Sequence, residues 1–574
     1  MGALVVASVL VSCRALVGIE DLTIEDAGLD GTVDAPVGPD STGLDAMDVA
    51  TSDARDATML DETNGGSDAD ASDALDTSTE AAADTGGEAE TAAVDAADAG
   101  GGSPCDAGMS MCNGRCVDLS SDGANCGTCG RVCAQVDAGY GCSVGLCGDQ
   151  VVQVASGYQG SCVVLQAGET WCWGGNQGGE LGYVSMPADQ LCHSGTFMCH
   201  PAPVKIPGLA SVVEVAPSAL QFRCARESDG SVWCWGANNE GQLGNSNMGL
   251  TPCPGGSVCN VVPARVPLGA LGAVQLRAAW QSICARVSNG DVYCWGEDIT
   301  GVSGPAFPPQ FYQPTPTSIG IHDVTDLALG GGDDINETHA CAVIGGTVWC
   351  WGSNTRGQLG HAPNTLGDIT SSDGGPSCYL GGPCNPTPTQ VTDGTGSALT
   401  NVTLLAGGGR AMCALRGDGT VWCWGSNFEG QLGANVPSDD QPHPVPVQVF
   451  TLGTTAVAVE SGWPWAIAMD DAGHAWTWGD NGEGQLADGT LTGATCASGK
   501  PCQLAPEMIP ALGGASLLSA HGNGMALVGG QILVWGFNDQ AQLGHLPAVD
   551  AGDTLVCPRG LPCNPSPQVL PGLP

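Results

Sequence analysis

The stretch GTVWCWGSNFEGQLG, residues 419–433, recurs along the chain and decides its fold. Five copies keep an aromatic-Cys-Trp-Gly core, and two later copies, Trp476-Thr477-Trp478-Gly479 and Leu533-Val534-Trp535-Gly536, are degenerate. Their second tryptophans are Trp173, Trp235, Trp295, Trp351, Trp424, Trp478 and Trp535. Steps of 54 to 73 residues between these positions are too long for helical hairpin repeats but fit four short strands with their loops. The repeats cover residues 150–574 and predict an all-β domain.

A second cysteine precedes the core in each of the first five copies. Cys224 and Cys234 are symmetric about a loop that ends at Gly230, where a three-residue hairpin connection needs a positive φ. In the fourth copy the spacing shrinks to Cys341 and Cys350, and a two-residue Gly-Gly turn lies at the centre. Because cysteine and turn move together, the pair falls on a non-hydrogen-bonded position, with Cα atoms about 4.5 Å apart. We therefore predict five cross-strand disulfides: Cys162 with Cys172, Cys224 with Cys234, Cys284 with Cys294, Cys341 with Cys350, and Cys413 with Cys423.

The last two copies lack both hairpin cysteines and have Ile467 with Thr477 and Met525 with Val534 instead. The two cysteines of a hairpin are thus either both present or both absent, which supports a disulfide between them. Five units also carry a short cysteine loop after the Gly-Gln-Leu-Gly segment, closed by Cys192 and Cys199, Cys253 and Cys259, Cys378 and Cys384, Cys496 and Cys502, and Cys557 and Cys563. In the first of these loops His193 and His200 could complete a zinc site, but the sister loops keep their cysteines without histidines, which favours disulfides. We expect no metal and no cofactor.

The N-terminal segment, residues 1–13, ends in Leu10-Val11-Ser12-Cys13 after a short apolar run. It resembles a bacterial lipobox, in which signal peptidase cuts before an acylated cysteine, although no Lys or Arg precedes the run. The alternative is an ordinary apolar tail with an accidental cysteine. We expect lipidation at Cys13, a membrane contact through that anchor, and a place in the bacterial cell envelope as an outer-membrane or cell-surface lipoprotein. Export would also allow the other 28 of the 29 cysteines to be oxidised.

Residues 14–103 form an acidic linker. They hold 23 Asp and Glu against Arg14 and Arg55, with no aromatic residue, so they cannot bury a core and we expect a disordered tether. The whole chain has a net charge of -45 and a pI near 4.1, which excludes nucleic-acid binding through a basic patch.

Residues 104–149 form a small module with eight cysteines and no histidine. Half of a four-cysteine zinc site at Cys126 and Cys129 is possible by spacing, but export favours four disulfides, whose connectivity spacing cannot assign. The pattern resembles cysteine-rich modules that precede repeat domains in myxobacterial surface proteins.

The lines CALRGDGTVWCWGSNFEGQLG and VVEVAPSALQFRCARESDGSVWCWGANNEGQLG resemble the regulator of chromosome condensation repeat family. This resemblance implies a seven-bladed β-propeller in which tryptophans and valines pack blade against blade. The chain ends in PSPQVLPGLP, which reads as the opening of a repeat, and residues 150–162 read as the remainder of one. We therefore expect the two ends of the repeat region to complete one shared blade.

The function is harder to predict than the fold. The exchange activity on a nuclear GTPase known in this family is not carried over, because this chain is expected to be exported and the exchange residues cannot be mapped onto it. We favour a tethered binding or adhesion module without enzyme activity, expected to be a monomer, whose partner is a protein or polysaccharide at the cell surface. The alternatives are a secreted-type protein inhibitor of an envelope enzyme, as in bacterial propellers of this repeat type that inhibit β-lactamases, and a polysaccharide lyase or hydrolase. The last should show converging carboxylates with perturbed pKa values in the central channel.

One position in each unit departs from the repeat. It lies just before the first hairpin cysteine or its equivalent, where structural residues should be alike because every blade has the same neighbours. Equivalent loops of a closed propeller fall on one face around one axis, so these residues predict a partner-binding patch. They are Tyr158, Phe222, Trp280, His339, Arg410, Trp463, Trp465 and His521. The alternative is that individual members pack between blades.

Overall fold

The computed structural model describes four short strands in the cysteine-rich module and most of residues 151–570. Short gaps fall at 185, 187–188, 193–196, 218–219, 247–249, 254–257, 305–311, 332–336, 370–377, 379–381, 450–451, 453–454, 555 and 559. Cys13 and the linker predicted over 14–103 lie outside the described residues. Within the module, β1 (Ser110–Cys112) pairs with β2 (Arg115–Val117), and β3 (Cys142–Ser143) pairs with β4 (Leu146–Cys147), both antiparallel.

Seven antiparallel sheets, each a blade, follow one another along residues 151–569. The first three blades comprise β5 (Val151–Ser156), β6 (Gly160–Leu165), β7 (Thr170–Gly175), β8 (Gln190–Cys192) and β9 (Phe197–Lys205); β10 (Val212–Pro217), β11 (Phe222–Glu227), β12 (Val232–Ala237), β13 (Thr251–Pro252) and β14 (Val258–Arg265); and β15 (Ala273–Ala279), β16 (Ser282–Val287), β17 (Val292–Glu297) and β18 (Tyr312–Ser318). The short strands β8 and β13 pair with the outer edges of their blades.

The remaining four blades repeat this plan. They comprise β19 (Val324–Gly330), β20 (His339–Ile344), β21 (Thr347–Ser353) and β22 (Cys384–Gln390); β23 (Val402–Gly407), β24 (Ala411–Arg416), β25 (Val421–Asn427) and β26 (Asp439–Gln448); β27 (Ala456–Ser461), β28 (Trp465–Asp470), β29 (Ala475–Asp480), β30 (Ala494–Thr495) and β31 (Pro501–Met508); and β32 (Ala515–Ala520), β33 (Asn523–Val528), β34 (Gln531–Phe537) and β35 (Cys563–Val569). Two 3-10 turns, Pro510–Leu512 and Val549–Ala551, complete the described secondary structure. The predicted all-β, seven-bladed propeller is confirmed.

The first strand of each blade is the inner strand, and the inner strands of neighbouring blades contact one another around a central channel. The second and third strands form the predicted hairpins. Gly230 has φ 83°, and the two-residue turn at Gly345 and Gly346 has φ 57° and 76°, as these connections require. Cys224 faces Cys234 and Cys341 faces Cys350 in the strand register.

All ten predicted disulfides of the repeat region are confirmed. The five hairpin pairs each have a Cα–Cα separation of 4.1 Å, which fits the predicted non-hydrogen-bonded position. The five loop pairs have Cα–Cα separations between 5.6 and 6.1 Å. The cysteines of both sets are buried, with exposed fractions between 0 and 6%.

The repeated tryptophan explains how the blades are joined. The second tryptophan of every unit is fully buried. Its indole Nε1 donates a hydrogen bond to a backbone carbonyl in the Gly-Gln-Leu-Gly-like segment of the preceding blade, at 2.7 to 3.1 Å. The seven donor and acceptor pairs are Trp173 with Gln542, Trp235 with Glu180, Trp295 with Gln242, Trp351 with Val302, Trp424 with Gln358, Trp478 with Gln431, and Trp535 with Gln485. The repeated motif is therefore the joint between blades, as the sequence predicted.

The expected shared blade is wrong. The first blade is built from residues 151–205 alone and the last from residues 515–569 alone. The C-terminal Pro-rich segment pairs with the third strand of its own blade, with Leu533 opposite Val569, so it ends a blade rather than opening the next. The ring closes through contacts between complete blades, including the bond from Ser156 N to Ser519 Oγ at 2.9 Å.

Candidate functional site

The connections between the first and second strands, here called the inner turns, meet around one mouth of the channel. Gly331 N donates to Gly408 O at 3.0 Å, which joins the inner turns of the fourth and fifth blades. Gly409 lies against the indole of Trp463, and Gly462 lies against the backbone of His521. The structure thus brings the predicted patch positions onto one face of the ring.

Three predicted patch residues are core residues instead. Phe222, His339 and Trp465 are each 0% exposed. Trp465 Nε1 donates to His521 O at 2.7 Å, and its ring packs edge-on against Trp535 at 6.5 Å between centroids. Their side chains are inside the blades, which removes them from the candidate surface. The physical reason is that the position begins the second strand, where a large side chain can turn inward.

His339 shows what such a buried position does to a titratable group. Its Nδ1 lies 2.8 Å from Glu337 O, and Gly330 leaves the space that the ring occupies, since a β-carbon there would overlap the imidazole. Burial lowers the pKa of His339 to about 4, against smaller opposing effects from the backbone of Glu337 and Ala411. The imidazole is therefore neutral at physiological pH and serves packing.

Five predicted residues remain half-buried on the face: Tyr158, Trp280, Arg410, Trp463 and His521. Tyr158 packs against Phe537 with 5.4 Å between ring centroids. Trp280 has a positive φ of 51°, which for a bulky residue is a strained backbone, and its buried Nε1 has no hydrogen-bond partner among the described residues. The inner turn of the third blade thus holds Trp280 in a conformation that the fold alone does not favour.

Arg410 is not a free cation. Its Nε pairs with the Glu337 carboxylate, whose side chain is 4% exposed while that of Arg410 is 28% exposed. The ion pair joins the inner turns of the fourth and fifth blades. A partner would meet the guanidinium edge of an already neutralised pair.

The loops with disulfides lie on the same face as the inner turns, because connections of an antiparallel four-stranded meander alternate between its two ends. Each Gly-Gln-Leu-Gly-like loop contacts the next blade. Gly179 contacts Val261, and Asn435 N donates to Leu504 O at 2.9 Å. The cysteine loop of the first blade packs with Ala541 and Leu546 of the seventh. The face is therefore braced around the whole ring.

The structure also reveals a site that sequence reasoning missed. The inner strands enclose a channel cavity of about 260 Å³ lined in part by Glu214, Arg277, Glu460 and His521. Asp326 lies close enough to affect the charges of Arg277 and Glu460. Glu214 and Asp326 are each the third residue of their inner strand, and Arg277 and Glu460 are each the fifth, so each of these two positions carries a charge in two of the seven blades. The sequence feature that could have indicated this site is the presence of charged residues within inner strands that are otherwise apolar.

These converging carboxylates are the signature expected of a polysaccharide-active enzyme. Glycoside hydrolysis needs two available carboxyl groups. Glu214 accepts bonds from Arg226 Nε and Arg277 Nη1, both at 2.8 Å, and Asp326 accepts from Gln275 Nε2 at 2.6 Å and Leu405 N at 2.7 Å. Only Glu460 is left among the three, so the arrangement does not provide the pair.

The described residues contain neither a cluster of metal ligands nor a helix that could span a membrane. Between residues 151 and 570, apart from the gaps, no group of three or more His, Cys, Asp or Glu side chains is placed to hold a metal ion. His200 Nδ1 lies 2.7 Å from Ala202 O rather than beside a second ligand, while His193 lies outside the described residues. In the same part of the chain, no helix has the length and apolar character needed to cross a bilayer.

Family models match both regions of the chain. The regulator of chromosome condensation (RCC1) repeat model matches residues 229–284, 345–415 and 418–468, and a second model of the same repeat matches residues 402–431. The Stigma-specific STIG1-like protein family model matches residues 91–150, which include the cysteine-rich module.

Curated relatives share the repeat region. The E3 ubiquitin-protein ligase HERC2 of Homo sapiens is 28% identical over 326 residues, which are 56% of this chain and 6% of HERC2. The secretion-regulating guanine nucleotide exchange factor of Bos taurus is 27% identical over 407 residues, which are 67% of this chain and 77% of that protein. The chain therefore spans a small part of HERC2 and most of the exchange factor.

Among solved structures, Prp20p from Saccharomyces cerevisiae has a TM-score of 0.54 and 19% identity, covering 70% of this chain and 85% of Prp20p. Its structure was determined together with its binding properties to Gsp1p and histones. At this identity the likeness concerns the fold alone.

Proposed function

Since the chain is a seven-bladed β-propeller built of regulator of chromosome condensation repeats, we propose that it acts as a protein-binding module through the face that carries its inner turns. One observation carries the proposal: Tyr158, Trp280 and Trp463 remain partly exposed on inner turns that contact neighbouring inner turns, although large aromatic side chains at this position can be fully buried, as Phe222 and Trp465 show. Partly exposed aromatic residues on a rigid support are typical anchors of protein interfaces.

The rigidity of the face supports recognition by a preformed surface. Five loops of this face are closed by disulfides, those of Cys192, Cys253, Cys378, Cys496 and Cys557, and contacts join most of the neighbouring inner turns. A surface that is ordered before binding loses little conformational entropy on association. The proposed partner is therefore a folded protein of complementary shape. The net charge of -45 favours a neutral or basic surface on that partner.

A photo-cross-linking experiment tests this proposal. The full chain would carry p-benzoylphenylalanine in place of Trp280, of Trp463 or, as the control, of Leu271, which is 38% exposed in the link between the second and third blades, on the opposite face. We expect one protein from an envelope extract to cross-link at positions 280 and 463 and not at 271. Trp280→Ala and Trp463→Ala should each weaken binding of that protein by roughly 1 to 3 kcal/mol without unfolding the propeller. Equal cross-linking at all three positions, or capture of polysaccharide alone, would contradict the proposal.

We also propose that Cys13 anchors the protein in a bacterial cell envelope. The lipobox-like Leu10-Val11-Ser12-Cys13 motivates this step, and the ten disulfides of the repeat region support an oxidising compartment. Cys13→Ser should move the full chain from the membrane fraction to the soluble extracytoplasmic fraction, while Ser12→Ala should leave it in place. An unchanged distribution of Cys13→Ser would exclude acylation at this residue.

A further inference from the structure

Side chains of the inner strands join neighbouring blades along the channel wall. Gln153, the third residue of β5, contacts Val215, the fourth residue of β10, through two hydrogen bonds. Val215 N donates to Gln153 Oε1 at 2.7 Å, and Gln153 Nε2 donates to Val215 O at 3.0 Å. A bond from the third residue of one inner strand to the fourth residue of the next is here called an inner-strand bond. It links two blades that share no β-ladder.

Four consecutive joints contain an inner-strand bond. After the joint of the first and second blades, the next three have donor and acceptor 2.7 to 3.2 Å apart. The pairs are Leu276 N with Glu214 Oε2, Gln275 Nε2 with Leu327 O, and Leu405 N with Asp326 Oδ2. Two of these three bonds have a carboxylate acceptor, which makes them stronger than bonds between neutral groups. The channel wall is therefore bonded without interruption from the first blade to the fifth.

The sixth blade lies where these bonds stop. In the last three blades the third residue of the inner strand has no polar side-chain atom, and these residues are Leu404, Ala458 and Leu517. The seventh and first blades are joined further along their inner strands instead, where Ser156 N donates to Ser519 Oγ at 2.9 Å. Among the described inner strands, only β27 of the sixth blade therefore has no side-chain hydrogen bond to either neighbouring inner strand.

The rest of the sixth blade is bonded on both sides. At its outer part, Asn435 N of the fifth blade donates to Leu504 O at 2.9 Å, and Gly489 N donates to Pro565 O of the seventh blade at 3.0 Å. The tryptophan bonds described above hold the middle of the blade, and Trp465 Nε1 bonds the seventh blade at the channel mouth. The attachments of this blade therefore lie outside its inner strand.

We propose that the sixth blade is a gate in the channel wall, in which β27 swings away from the channel about the outer attachments of its blade and then returns. Because Glu460 and Ser461 of β27 line the channel cavity, this movement widens the cavity. Arg277 lies on the inner strand of the third blade, and its charge attracts Glu460 toward the closed position. The gate is a property of the ring and does not depend on the partner proposed for the face.

Hydrogen–deuterium exchange of the full chain, measured by mass spectrometry of its peptides, tests the gate. Amides exchange when the structure around them opens, so peptides covering 456–470 of the sixth blade should exchange at least about tenfold faster than those covering 212–227 of the second. Ala458→Gln supplies the residue type that forms the inner-strand bond in the first blade, and it should slow exchange of 456–470 about tenfold. Ala458→Met is the matched control, because methionine has a similar length without the amide group, and it should leave exchange nearly unchanged.

The seventh blade separates the effect of the missing inner-strand bonds from that of the missing hairpin disulfide. It lacks that disulfide, as the sixth blade does, but Ser519 joins its inner strand to the first blade. Peptides covering 515–528 should therefore exchange more slowly than those covering 456–470. Equal exchange in these two blades, or in the sixth and second blades, would overturn the proposal. The same slowing in Ala458→Gln and Ala458→Met, or no slowing in Ala458→Gln, would overturn it as well.

Discussion

The indole Nε1 of Trp173 donates a 2.8 Å hydrogen bond to the backbone carbonyl of Gln542, 369 residues further along the chain. An equivalent bond joins each of the remaining six pairs of neighbouring blades, where donor and acceptor are 47 to 66 residues apart. The first and last blades therefore meet through the ordinary blade contact rather than through an exchanged strand. Closure of the ring depends on noncovalent packing at this one interface.

Trp173→Phe should lower the free energy of unfolding by about 2 to 4 kcal/mol. The change removes the bond to Gln542 and leaves a cavity at a fully buried position. Trp171→Phe is the matched control, because Trp171 is half-buried and its Nε1 donates only to Glu169 at 3.3 Å, and it should cost under about 1 kcal/mol. Urea denaturation measures both variants. Equal losses of unfolding free energy in the two variants would show that the contact between Trp173 and Gln542 contributes no more to stability than that of Trp171.

A disulfide can be restored where the repeat has lost it. Ile467 faces Thr477 at the same register position as the hairpin cysteines of the other blades, and both residues are fully buried. Ile467→Cys with Thr477→Cys should form a bridge, stabilising the hairpin by roughly 2 to 3 kcal/mol before about 1 kcal/mol is lost with the bond from Thr477 Oγ1 to Leu486 O. Mass spectrometry without reductant would show the loss of two hydrogens.

The equivalent pair in the seventh blade, Met525 and Val534, provides a second site across a two-residue turn. Met525→Cys with Val534→Cys should form the bridge as well. Two free thiols in either variant after oxidative refolding would contradict the register rule taken from the other five blades.

The contribution of His339 to stability should be lost as the pH falls from 6.5 to 4. In the unfolded chain His339 takes up a proton near pH 6.5, whereas in the folded state its pKa is about 4, so acid favours the unfolded chain in this window. The contribution is about 3 kcal/mol, present above pH 6.5 and lost as the pH drops to 4. His339→Gln should remove this contribution, so the difference in unfolding free energy between the natural protein and the variant should change by about 3 kcal/mol between pH 6.5 and pH 4.

The control for this experiment is His322→Gln. His322 is exposed and pairs with Asp291 at 2.6 Å, and this contact raises rather than lowers its pKa. Replacing it should not reduce the acid sensitivity. An unchanged slope in His339→Gln would show that the imidazole is solvated in the folded protein.

The sequence predicts best those features of the fold whose residues recur from blade to blade. The tryptophan joints, hairpin turns and disulfides recur in several blades, and each recurrence gives an independent check on register, as Cys341 and Cys350 did. The shared blade was predicted incorrectly because a repeat in sequence can begin at any strand, and only the pairing of Leu533 with Val569 shows where a blade ends.

The candidate site was harder to predict because its residues do not repeat. Position alone placed Trp280 and Trp465 on equivalent inner turns, yet one is half-buried and the other lies in the core. The outcome depends on local backbone, such as the positive φ of Trp280, which the sequence does not reveal. The channel residues Glu460 and Arg277 come from different blades, and only closure of the ring brings them together.

The joint between the first two blades differs from the others because it buries two opposite charges, those of Glu180 and Arg223. Glu180 stands where the other joints have glutamine in five cases, and Arg223 stands where the other six blades have an uncharged residue, namely Ser161, Ile283, Ala340, Met412, Ala466 and Gly524. Both side chains are 0% exposed. Burial raises the pKa of Glu180 and lowers that of Arg223, and each charge partly offsets the cost of the other.

Each single replacement should therefore be costly and the pair of replacements should not. Glu180→Gln keeps the acceptor for Gly178 N, now bound at 2.7 Å, but leaves the Arg223 charge buried alone, so it should cost about 3 to 5 kcal/mol. Arg223→Met should cost a similar amount by isolating the Glu180 carboxylate, or less if the carboxyl takes up a proton. The double variant reproduces the uncharged chemistry of the sister joints and should be at least as stable as the natural protein, by 0 to about 4 kcal/mol. Urea denaturation of the four proteins gives the coupling energy. Losses that simply add would show that the two charges do not act on one another through the joint.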